Sequence, residues 1–165
     1  MAEMNDSFNE VTAEMLKVIS DYDSVTGFQG AYNIRQDSMC AGRKNSENIT
    51  IESKTDKPGI NIRVKPGTKG ETVYIPACVT HSNVDDLVYN DFFIGEGADV
   101  TIVAGCGVHS DGSETARHNG IHRFFLEKGA KVLYKEKHIG TGKGTGLRRI
   151  CLLYTSPSPR DRSLS

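Results

Sequence analysis

A mainly β fold led by a single helix is the architecture this sequence predicts, and three observations predict it. From Ile49 onward apolar residues return at every second position in short runs: Ile49 and Ile51, then Ile60, Ile62 and Val64, Val73 and Ile75, Val100 and Ile102, Phe124 and Leu126, and on to Val132. That is the period of a half-buried strand. Turn signals separate the runs at Lys57-Pro58-Gly59, Lys65-Pro66-Gly67, Gly95-Glu96-Gly97 and Lys128-Gly129. Finally, the tetrapeptide Gly-Ala-x-Val opens two strand-like phrases, one at Gly97 and one at Gly129, a recurrence expected of stacked coils in a solenoid. Periodicity alone leaves sandwich, barrel and β-helix open.

The helix comes first in the chain. Ser7 followed by Glu10 fits a capping box, and Phe8, Val11, Met15, Val18, Ile19 and Tyr22 recur at helical spacing. The expectation is one amphipathic helix from about Ser7 to Asp21, serving as a lid or docking element. Gly27 and Gly30 end that region, and the polar run from Arg43 to Asn48 reads as a loop. After Ile150 the composition breaks: Cys151 to Ser165 contains no glycine and carries Ser-Pro twice in succession. This segment resembles translated sequencing-adapter bases and is read as a non-native tail.

A length of 165 residues suits one domain, and a formal net charge of −1 supplies no basic field for nucleic acid or an anionic membrane. Charge is nonetheless uneven. Residues 1 to 30 carry six acids against Lys17, and residues 128 to 149 carry seven Lys or Arg against Glu136, an asymmetry read as solvated faces. No apolar run approaches the roughly 20 residues needed to cross a bilayer, and the acidic N-terminus lacks the features of a secretory signal. A cytoplasmic location follows, with Cys40, Cys78, Cys106 and Cys151 as thiols.

Several motifs compete for the chemistry. The run Gly140-Thr141-Gly142-Lys143-Gly144-Thr145-Gly146 lacks the Ser or Thr that a phosphate loop places after its lysine, so it is a loop. Two Cys-x-x-His pairs, Cys78 with His81 and Cys106 with His109, and the pair His118-x-x-x-His122 invite a zinc reading. On a strand, however, residues i and i+4 lie about 13 Å apart. The rival functional hypothesis is a small metal-dependent enzyme with His118, His122 and His138 as ligands. Cys40 and Cys78 are expected as buried small hydrophobes. Cys106 is flanked by Gly105 and Gly107, an arrangement expected to expose its thiol to a partner's sulfur.

Taken together, Gly30-Ala31-Tyr32-Asn33-Ile34-Arg35, Tyr89-Asn90-Asp91-Phe92-Phe93, Val103-Ala104-Gly105-Cys106 and Gly129-Ala130-Lys131-Val132 resemble the SufB/SufD family of iron-sulfur cluster assembly scaffolds. The similarity covers about Tyr32 to Ile150 and matches the first half of a short SufB-like member. It implies a right-handed parallel β-helix, divided here into an N-terminal helical segment at 1–30, a partial β-helix core at 31–150 and the tail at 151–165. It also implies a scaffold rather than an enzyme. The expected partners are a SufC-type ATPase, a second SufB/SufD-like subunit (self or paralogue) and the cysteine desulfurase relay, with no nucleic acid and no membrane. An iron-sulfur cluster would be transient in the full-length complex and not held stably by this piece, which stops before the family's cluster-ligand and SufC-docking regions. In larger SufB proteins a Glu-Gly-Cys phrase carries a proposed sulfur acceptor. Ala104-Gly105-Cys106 falls at that phrase, which implies Cys106 as sulfur acceptor or cluster-binding residue, with Ala104 where the glutamate stands. His109, His118, His122 and His138 are the candidate metal or cluster ligands beside it, since histidine occasionally replaces thiolate in such sites.

Overall fold

The structure, a computed structural model, describes residues 7–112, 114–142 and 147–157. The described residues form helix α1 (Glu10–Ile19) followed by strands β1 (Ala31–Gln36), β2 (Met39–Lys44), β3 (Ile49–Ser53), β4 (Gly59–Val64), β5 (Lys69–Val79), β6 (Asp85–Ile94), β7 (Asp99–Ser110), β8 (Ala116–Leu126), β9 (Lys131–Gly142) and β10 (Leu147–Pro157). The chain is mainly β, as its alternation predicts.

Two five-stranded mixed sheets run in the orders β2-β1-β5-β7-β9 and β10-β8-β6-β4-β3. From β5 onward consecutive strands alternate between the sheets, and within each sheet every strand lies parallel to the one two places earlier. At the opposite end two antiparallel pairs, β1 with β2 and β3 with β4, close the stack. The repeated Gly-Ala-x-Val phrases form equivalent turns ahead of the paired strands β7 and β9. Val100 sits beside Val132 in the β7–β9 register, and the Gly97 amide donates to the Lys128 carbonyl at 2.9 Å. One coil earlier the Gly67 amide donates to the Glu96 carbonyl, also at 2.9 Å. Gly67, Gly97 and Gly129 all have φ between 69° and 75°, a conformation that favours glycine.

Alternation then sorts side chains between the space enclosed by the sheets and the two outer faces. Ile62, Val73, Phe92, Ile94, Val100, Ile102 and Phe124 fill the interior toward one end of the strands, where Phe92 and Phe124 stack with ring centroids 4.6 Å apart. On the outside Phe93 and Phe125 repeat the arrangement at 5.0 Å, and the Arg63 guanidinium lies 4.5 Å from the Phe93 ring. The compositional break after Ile150 is not a break in the backbone: β10 crosses it, pairing with β8 from Leu147–Ala116 to Pro157–Leu126.

Helix α1 is shorter than the expected span. Its N-cap is Asn9, whose side-chain oxygen accepts from the Thr12 amide at 2.9 Å, rather than Ser7. Ser7 is taken by the sheet, its amide donating to the Ala41 carbonyl at 2.7 Å. The helix docks on the outer face of the first sheet through Met15, Leu16 and Ile19, which meet Ile34, Ala41 and Cys78. Gly105 and Gly107 make that seat possible. A Cβ at Gly105 would stand 2.5 Å from the Ile19 carbonyl oxygen, and one at Gly107 would stand 2.4 Å from the Met15 sulfur.

Gly105→Ala is therefore expected to destabilise the chain by about 1–3 kcal/mol, the usual cost of overpacking, because the obstacle is helix backbone. Gly107→Ala, which meets only a flexible methionine, should cost less. Denaturant unfolding of the two variants checks the order.

Candidate functional site

The polar residues that could do chemistry lie between the sheets. Arg35, Ala77, Cys106 and His138 are successive neighbours across β1, β5, β7 and β9. Asp86 and His118 are neighbours on β6 and β8 in the other sheet. Arg35 reaches across to Asp86, donating from Nη2 at 2.8 Å and from Nε at 3.0 and 3.1 Å, and so places these two rows at one level. A second level follows, with Ala104 beside Glu136 in one sheet and Asn90 beside His122 in the other. Apolar clusters bound the polar layer at both ends: Val79, Val108 and Ala116 on one side, Phe92 and Phe124 with their neighbours on the other.

Between the two levels lies an interior cavity of about 20 Å³ whose lining includes Arg35, Asn90, Cys106, His118, His122 and Glu136, room for about one water molecule. Asp86 is 1% exposed. Burial by itself would raise its carboxyl pKa, but the hydrogen bond from His118 and the hydrogen bonds and charge of Arg35 outweigh that and hold it well below the ordinary carboxylate range. An ionised Asp86 only accepts, so the 2.9 Å contact between its Oδ2 and His118 Nδ1 is a bond donated by the imidazole. Asn90 uses its oxygen for the Ile60 amide at 3.3 Å and turns its nitrogen toward His122 Nδ1 at 3.4 Å.

Cys106 is not an exposed thiol. It is 1% exposed and faces inward; its flanking glycines point the other way, toward α1. Small residues read from sequence as openness are here the footprint of a docked helix. Cys78 lies under that helix, fully buried as expected, and burial pushes its thiol up to about 12, with smaller opposed contributions from Thr12 and Asp37. Cys40 is half-buried, its sulfur 3.5 Å from Asn33 Oδ1.

The histidines divide. His118 and His122 both face the cavity and lean toward each other across Gly120: a Cβ built there would lie 3.6 Å from His118 Nε2 and 3.0 Å from His122 Nε2. Backbone spacing on a strand overstated their separation because it ignores this tilt. His138 is the β9 neighbour of Cys106, with Nε2 3.1 Å from Glu136 Oε2. His109 is on the opposite side of β7 from Cys106, its Nδ1 2.7 Å from Thr141 Oγ1. His81 pairs with Asp111 at 3.2 Å in the turn after β5. Both Cys-x-x-His pairs are thus split. Among the described residues no three His, Cys, Asp or Glu side chains lie close enough together to hold a metal ion, so the zinc reading gains no geometric support.

Arg35, Asp86, Asn90 and Glu136 were not anticipated. The signal available was parity: Asp86 and Asn90 occupy the same face of β6 as Phe92 and Ile94, where a polar residue has to be paired.

The arrangement defines a class of protein by its fold, two facing sheets of stacked parallel strands with a paired polar layer between them that includes the Cys106 thiol. Two curated relatives place it more closely. A SufBD family iron-sulfur cluster assembly protein of Methanothermobacter thermautotrophicus is 32% identical over 89 residues, 53% of this chain and 21% of that protein. A SufBD family iron-sulfur cluster assembly protein of Archaeoglobus fulgidus is 33% identical over 98 residues, 58% of this chain and 26% of that protein. Over this stretch the chain is similar to these two SufBD family proteins, and the match spans about a fifth to a quarter of their length. No protein-family model matches the chain, and no solved structure matches it.

The folded-state pKa of Asp86 lies below its unfolded value of about 3.9, so its stabilisation is complete above that value and is lost progressively as pH falls from there through the lower folded-state pKa. Lowering the pH from about 6 to about 3 should therefore reduce the Tm of wild type more than that of Asp86→Asn. At neutral pH the same variant should cost about 3–5 kcal/mol, because it leaves Arg35 without its counter-charge. Thermal unfolding across that pH range tests both statements.

Proposed function

We propose that this chain is part of a scaffold component of an iron-sulfur cluster assembly system, with Cys106 as its sulfur acceptor. The similarity to two SufBD family proteins carries the reading. The placement of Cys106 supports it: the one cysteine at the family phrase lines the same small polar cavity as His118, His122 and Glu136. A buried thiol is shielded from oxidation, so sulfur transfer to Cys106 requires the partner proteins of the complete system to open a path to it. In this reading the cluster is cargo rather than a resident cofactor, and this chain alone holds none stably.

The finer architecture in the proposal is a right-handed parallel β-helix, supported by the alternation of successive parallel strands between two sheets. The proposed partners are a SufC-type ATPase, a second SufB/SufD-like subunit and the desulfurase relay, in the cytoplasm, acting on a longer protein than the stretch seen here. Among the described residues no helix is long and apolar enough to cross a membrane.

Replacing Cys106 with serine in a full-length protein carrying this region should abolish sulfur loading by a cysteine desulfurase, while Cys78→Ser leaves loading intact. Equal loading of wild type and Cys106→Ser overturns the assignment.

The proposal also treats Cys151 to Ser165 as a non-native tail, on composition. The pairing of residues 151–157 with β8 makes that checkable. Deleting the segment should leave Tm unchanged; a fall of several degrees would show that this half of β10 contributes to the fold.

A further inference from the structure

We propose that the groove between α1 and β9 is a docking site for an amphipathic helix of another protein, one whose apolar stripe is flanked by basic residues. The inference stands apart from the sulfur-acceptor reading, because the groove shares no residue with the interior cavity.

The apolar stripe of α1 is wider than the surface that covers it. Met15, Leu16 and Ile19 are buried against the first sheet, but Val11 is only partly covered and Val18 is 49% exposed. Facing them is Ile139, which shares its row with Gly107 and so lies on the outer side of β9. Val11, Met15, Val18 and Ile139 form the apolar walls of an open groove of about 480 Å³. Pockets that receive a ligand span roughly 300–1,000 Å³, and an apolar concavity on an outer face marks an interaction site.

Shape and charge together specify the occupant. The groove follows α1 from Val11 to Val18, residues whose spacing of four and then three through Met15 is met by side chains at the same spacing on a second helix. An extended segment would instead pair with the outer edge of β9, the last strand of its sheet among the described residues. Along the solvent side of the groove stand Glu10 and Glu14, one turn apart and both exposed. The bridge from Lys17 to Glu14, at 3.2 Å, is itself exposed and contributes little. Six acids against one lysine in residues 1 to 30 make this end of the chain acidic as a whole. A helix with arginine or lysine beside its stripe meets that rim with opposite charge, whereas α1 of a second copy would set acid against acid.

The test uses the full chain and two fluorescein-labelled synthetic helical peptides of about 14 residues, long enough to run the length of α1 at about 1.5 Å per residue. Both carry leucine at i, i+3, i+4 and i+7; one has arginine beside the stripe and its twin has glutamate there. Fluorescence anisotropy should show saturable binding of the arginine peptide, and methyl NMR should place its effects on Val11, Val18 and Ile139. Val18→Asp should weaken binding on the order of 10-fold, although it adds a negative charge that would strengthen a merely electrostatic attraction. Glu10→Lys combined with Glu14→Lys should reverse the preference between the two peptides. Equal binding of the peptides to wild type, absence of binding, or an affinity that Val18→Asp leaves unchanged overturns the proposal. Sedimentation of the chain alone should show no self-association through this groove; a dimer abolished by Val18→Asp would assign the groove to a second copy and overturn it as well. If the double charge reversal disturbs the helix start, the wild-type preference and the Val18→Asp result decide.

Discussion

Parallel stacking in register is the constraint from which the rest of this structure follows. Once β5, β7 and β9 lie parallel at matching positions, and β6, β8 and β10 do the same in the facing sheet, each residue has its counterpart in the next coil as its nearest lateral neighbour. Chemical likeness therefore becomes a spatial column. Phe92 meets Phe124, Phe93 meets Phe125, and Val100 meets Val132. A single polar residue set on the inner face creates a demand that the neighbouring coils have to meet.

Asp86 is where that demand is greatest. A carboxylate that is 1% exposed costs several kcal/mol in lost hydration. The cost is offset by Arg35 and His118, which come from two other strands. Three coils are pinned at one level by this contact, and the level it sets is the one on which Cys106 stands. The polar layer is satisfied throughout: among the described residues no buried side-chain nitrogen or oxygen lacks a partner. A fully paired interior layer specifies register strongly, because sliding one strand by a residue would turn its inner-face polar residues to the outer face and leave their partners buried and unpaired.

The outer face of the first sheet obeys a different requirement. Its apolar residues need a cover, and α1 supplies it at a separation that only glycine at 105 and 107 allows. The chain returning from the helix is held by a run of ring contacts, Phe8 with Tyr22, Tyr22 with Phe28, and Phe28 with both Tyr32 and Tyr74. One side of β7 is thus shaped by the helix and the other by the cavity. Cys106 belongs to the second side and its two glycine neighbours to the first.

By itself, the sequence determined the β character, the leading helix and the turn positions, because these depend on local conformation and on period-two alternation, which are written residue by residue. It also singled out Cys106, through a family phrase. Only the tertiary structure decided which way that thiol faces, how His118 and His122 lean together over Gly120, and that Arg35 and Asp86 meet at all. Arg35 and Asp86 are 51 positions apart in the chain. Their contact depends on how many residues each coil consumes before the strands come back into register, and alternation along any one strand carries no record of that number.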